Sequence, residues 1–108
     1  MMTFYCRALG IPDSLCPVEV EDGEEEYAAD NFVHENVRMT EVGQATFIEV
    51  APSAEGPWEL WVCKCVGLFG GGGFMLMTGR TTYAQAEQDL KQYGGTSPNE
   101  NVRKWQAS

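Results

Sequence analysis

Residues 58–93 read WELWVCKCVGLFGGGGFMLMTGRTTYAQAEQDLKQY. Trp58, Leu60, Val62 and Val66 fall on one side of an extended strand, and Trp61, Cys63 and Cys65 fall on the other. Apolar weight on both sides predicts an interior strand, because an exposed face would carry alternating polar residues. Gly70–Gly73 turn the chain, and Phe74–Met77 return as a second strand. Helix signals follow. Thr82 and Gln85 have capping-box spacing, Gly94 stands where a helix ends in a left-handed residue, and nothing between them breaks the helix. The buried stripe expected of that helix is Tyr83, Ala86, Leu90 and Tyr93.

The preceding half of the chain reads in shorter pieces. Thr3–Leu9 alternates as a strand with Phe4, Cys6 and Ala8 on one side, and Gly10–Pro17 form a loop. Val18 and Val20 alternate with Glu19 and Glu21 in a short strand expected near a sheet edge. Asp22 and Glu25 have capping-box spacing, so a helix is expected from about Gly23 to about Asn36, burying Ala28, Ala29, Phe32 and Val33. Val37–Val42 and Ala45–Ala51 read as strands joined through Gly43 and Gln44 in a tight type II′ hairpin. Pro52–Pro57 is a loop. Beyond Gly94–Pro98, Asn99–Gln106 carries Val102 and Trp105 and reads as a short helical tail.

These pieces predict a single α+β domain over residues 1–108, with a mainly antiparallel sheet of about five to six strands. Two helices are expected to pack on one face of that sheet. The longest apolar stretches fall well short of the ~20 residues that span a bilayer, and no basic segment leads into an apolar one near the start. A cytoplasmic location and reduced cysteines are therefore expected.

Charge is the most informative bulk property. Of the net charge of −9, residues 1–56 contribute twelve carboxylates against Arg7 and Arg38, a balance of −10. The second half is close to neutral. An acidic half of this kind repels phosphates, which argues against direct binding of nucleic acid or an anionic membrane and in favour of a basic protein surface. Its densest part is Glu19, Glu21, Asp22, Glu24, Glu25, Glu26 and Asp30, seven carboxylates with no intervening lysine or arginine. Tyr27 follows the run directly and adds an aromatic anchor. The calcium-loop pattern of alternating aspartates and a terminal glutamate is missing around Gly23.

Other chemistry-bearing residues fit recognised sites poorly. Cys63 and Cys65 point the same way from a strand, and with Cys6 and Cys16 they would make four thiolates. Structural zinc sites place their cysteine pairs on turns, so small core residues are the expected role. The four glycines lead into a strand and lack the following lysine and hydroxyl residue of a phosphate loop. His34 is the single histidine; Asp30 lies one turn earlier and could orient it, but no nucleophile is placed beside it by local spacing.

The expectation is a small non-enzymatic protein-binding domain that needs no metal or cofactor. Its sharper form is an inhibitor or regulator that occupies a basic, nucleic-acid-binding surface as a nucleic-acid mimic, in the manner of small phage or mobile-element proteins. Two alternatives stand beside it. One is a ligand- or metal-binding or catalytic domain using the glycine loop, Cys63 and Cys65, or His34. The other is a subunit of a homo-oligomer. An acidic surface that serves solubility alone is the simplest account of the charge.

Overall fold

A computed structural model describes residues 1–37, 42–68 and 74–92. Five strands and two helices follow in order: β1 (Met2–Ala8), a 3₁₀ turn (Pro12–Ser14), β2 (Cys16–Val20), α1 (Glu26–Asn36), β3 (Ala45–Ala51), β4 (Glu59–Leu68), β5 (Phe74–Arg80) and α2 (Tyr83–Gln92). The strands form one sheet in the order β2-β1-β3-β4-β5, and every neighbouring pair is antiparallel. The class is α+β. The expected tail helix at Asn99–Gln106, Gly94 and Tyr93, the glycine run and most of the strand expected over Val37–Val42 lie outside the described residues. No helix among the described residues is long and apolar enough to cross a membrane.

All seven residues of β3 are buried, so this strand, next to β4, is the centre of the sheet. Its alternation divides the core. Ile48 and Val50 face α1, and Phe47 faces α2. On the α1 side, Ala28, Ala29, Phe32 and Val33 pack over Phe4, Cys6, Val18, Trp61 and Cys63. Each large apolar side chain taken fully out of water there contributes roughly 1.5–3 kcal/mol. On the other side Ala86 of α2 meets Phe47 and Leu60. The helices thus cover opposite faces of the sheet. The two-sided apolar pattern of β4, with Trp61 and Cys63 on one side and Leu60 on the other, requires a cover on each side, which corrects the expectation of helices on a single face.

The start of α1 also differs from expectation. Gly23 has a φ of +83°, outside helical space, so the chain turns there and the helix begins at Glu26. The Glu24 N–H donates to the Glu21 carbonyl across that turn at 3.0 Å, and no side chain caps α1. At α2 the anticipated cap is present, the Gln85 N–H donating to Thr82 Oγ1 at 3.1 Å. Tyr83, expected in the buried stripe, is exposed. Gly43 has a φ of +96° as a turn needs, yet its N–H donates to the Cys65 carbonyl at 2.8 Å and the Cys65 N–H donates back to Gln44. These residues therefore extend the β3–β4 pairing, and no Gly43 hairpin to an earlier strand lies among the described residues.

Candidate functional site

Strand β2 ends at Val20, and the next six residues carry five exposed carboxylates, Glu21, Asp22, Glu24, Glu25 and Glu26, around the Gly23 turn. Edge position and turn geometry together produce this density. Among the described residues no strand lies outside β2, and the left-handed glycine turns the chain before α1 begins. Among the described residues the turn has few cations. Arg80 Nη2 is 3.4 Å from Glu25 Oε1, and the Met1 amino group is 3.6 Å from Asp22 Oδ1. Among the described residues, Glu21, Glu24 and Glu26 have no cation within 4 Å.

The remaining predicted site residues do not join this turn. Glu19 pairs in register with Thr3, between Val18 and Val20, so its exposed side chain lies on the face opposite α1. Asp30 is half-buried one turn into α1, where Thr78 Oγ1 and His34 Nε2 each approach Oδ1 at 3.5 Å. Tyr27 is exposed and lines a shallow hollow with Glu26, Asp30 and Thr78. The acidic run of the sequence therefore resolves into a five-carboxylate turn, one glutamate across the sheet and one internally paired aspartate.

The cysteines are free thiols: Cys6, Cys63 and Cys65 lie inside the core under α1, and half-buried Cys16 packs against it. Cys6 stands opposite Cys16 in the β1–β2 register. Burial pushes the Cys6 thiol up to about 12, with the neighbouring Cys16 and Cys63 adding to the effect. Burial likewise raises Cys63 to about 12 against a hydrogen bond from Thr78 Oγ1 at 3.5 Å. Such thiols are held protonated and are poor nucleophiles at neutral pH. No group of three or more histidine, cysteine, aspartate or glutamate side chains among the described residues is placed to hold a metal ion.

Comparison with known proteins adds no relative: no protein-family model, no curated protein and no solved structure matches the chain.

Two features escaped the sequence reading. On the α2 face, Arg7 of β1 and Glu49 of β3 are register partners and form an ion pair at 3.1 Å, while the Tyr83 hydroxyl donates to the second carboxylate oxygen at 2.6 Å. The Arg7 guanidinium stacks 3.9 Å from the Trp58 ring centroid. Glu49 was the available signal, a lone carboxylate in an apolar strand, since such a group needs partners when it is buried. The second feature is a cavity of about 360 Å³ beside the acidic turn, walled by Phe4, Val50, Pro52, Pro57 and Trp61, with Glu25 and Glu59 also lining it. Among the described residues the Trp61 indole N–H is the one buried side-chain polar atom with no hydrogen-bond partner. Leaving such a donor unpaired costs about 1–3 kcal/mol. Nothing local in the sequence marks this cavity, because its walls come from β1, β3, the loop after β3, β4 and the acidic turn before α1.

Proposed function

We propose that the protein is a non-enzymatic binding domain whose Glu21–Glu26 turn docks on a basic surface of another protein, of the kind that otherwise holds nucleic-acid phosphates. The observation that carries this reading is the set of five exposed carboxylates on one turn with Arg80 as the only side-chain cation within 4 Å among the described residues. The turn is anchored at both ends, by β2 pairing to β1 and by α1 packing through Ala28, Phe32 and Val33. An anchored row of charges loses little conformational freedom on binding, and it can displace the small ions condensed on a basic groove. A protein that only needed solubility would gain nothing from concentrating its charge in this way.

The test uses the native protein and a variant with Glu21, Glu24 and Glu26 replaced by glutamine, three carboxylates without an ion-pair partner among the described residues. Each is immobilised and presented with a lysate, and bound proteins are eluted with rising salt or with heparin as a phosphate-like competitor. The native protein should retain a nucleic-acid-handling protein that heparin and salt release and that the variant fails to hold. Retention by both proteins, indifferent to heparin and salt, would remove the proposal.

A second reading has its own support. Strand β5 is the other edge of the sheet, and Met75 and Met77 are exposed on it. Self-association through this edge would cover them. Sedimentation of the wild type against Met77→Lys decides it, a dimer that the substitution dissociates being the expected result of this reading.

A further inference from the structure

Trp61 keeps only 6 % of its surface accessible, and it lines the 360 Å³ cavity. The volume falls in the range of about 300–1,000 Å³ occupied by small-molecule sites. Phe4, Val50 and Pro57 make most of the wall apolar, while Glu25 and Glu59 supply carboxylates. A group suited to this space is apolar over most of its surface and carries positive charge at one end.

Arg80 marks the place for that charge. Its Nη2 lies 3.4 Å from both Glu25 Oε1 and Glu59 Oε2, and its guanidinium carbon is 5.3 Å from the Trp61 ring centroid. Two carboxylates and an aromatic face around one cation form a setting that also recognises an ammonium ion. One guanidinium between two carboxylates leaves a unit of negative charge uncompensated.

We infer that this cavity binds a compact hydrophobic amine: an aromatic or branched apolar group held against Phe4, Val50, Pro57 and Trp61, and an ammonium that joins or replaces Arg80 between Glu25 and Glu59. The site shares Glu25 with the acidic turn but needs no protein docked on that turn. Its test rests on Trp61, Glu59 and Arg80, which lie outside that turn.

The probe is L-phenylalaninamide, with N-acetyl-L-phenylalaninamide as the uncharged comparator. Binding is read from the indole N–H signals of the three tryptophans in ¹⁵N-labelled protein, with that of Trp61 assigned by Trp61→Phe. The amine should move the Trp61 signal saturably and bind more tightly than the acetylated compound. Glu59→Gln should weaken the amine by about two- to five-fold, and Arg80→Gln, which removes the resident cation, should strengthen it by a similar factor. Both side chains are more than half exposed, so both variants should keep the fold, which circular dichroism checks. The inference is overturned if neither compound moves the Trp61 signal saturably. It is equally overturned if the acetylated compound binds as tightly as the amine, or if the affinity of the amine ignores both substitutions.

Discussion

The Tyr83 hydroxyl donates to Glu49 Oε2 at 2.6 Å, tying the first turn of α2 to the central strand of the sheet. Glu49 is buried and its other oxygen receives Arg7 Nε at 3.1 Å, so a single carboxylate joins β1, β3 and α2. This is the main polar fastening of a helix whose described apolar contact centres on Ala86.

Breaking the bond should loosen α2 without unfolding the sheet. Tyr83→Phe is expected to cost about 1 kcal/mol, because Tyr83 is half exposed and the bond is only partly shielded from water. Glu49→Ala should cost more, about 2 kcal/mol, since it strands Arg7 as well. Urea denaturation measures both, and the double variant should lose less than the sum because the two residues share one interaction. An additive double variant would mean that the bond contributes nothing in solution.

Alkaline pH should destabilise the fold through the same pair. The hydrogen bond to Glu49, then burial and the Glu49 charge, raise the Tyr83 phenol to about 12, against Arg7, which lowers it. A group whose folded value lies above its unfolded value of about 10 stabilises fully below that pH and loses the contribution as pH rises through 12. Cys6 and Cys63, raised by burial to about 12, act with the same sign from their ordinary value of 9.0 upward. Midpoints of urea unfolding should therefore fall steadily between about pH 9 and 12, and Tyr83→Phe should flatten the upper part of that decline.

Thiol reactivity should be ordered by burial. Cys16 is half-buried, whereas Cys6, Cys63 and Cys65 are enclosed. With an aromatic disulfide reagent near neutral pH, Cys16 should be modified first although burial and Glu35 raise its pKa. Cys16→Ser should abolish the first phase, and all four thiols should react together in denaturant. A first phase that survives Cys16→Ser would show that the core opens more readily than its packing implies.

Gly56 should resist substitution. Its φ is +105°, and a Cβ there would approach Trp58 Cδ1 to 3.2 Å. Gly56→Ala is expected to lose about 1–3 kcal/mol from backbone strain alone. It should also disturb the Arg7–Trp58 stacking, visible as a changed near-ultraviolet circular dichroism signal. An unchanged melting temperature and spectrum would contradict this account.

Much of this architecture is legible from local pattern. The interior placement of β4 follows from Leu60 alternating with Trp61 and Cys63, the start of α2 from Thr82 and Gln85, and the edge position of β2 from Val18 and Val20 alternating with Glu19 and Glu21. These features depend on residues a few positions apart, where the strand and helix periods act directly. The delayed start of α1 is a failure at the same short range, since the left-handed conformation of Gly23 overrode a capping box that its neighbours spelled out.

Long-range placement decided the rest. Periodicity makes both faces of β4 apolar but cannot say that α1 covers Trp61 while α2 covers Leu60, because that depends on how the chain passes from β2 through α1 to pair β3 with β1. The same crossover seats Glu49 between Arg7 and Tyr83, separated from them by 42 and 34 positions. It also brings Glu25, Glu59 and Arg80 together beside Trp61. Buried polar partners and cavities arise where distant segments meet, so the composition of any one segment fixes neither their members nor their geometry.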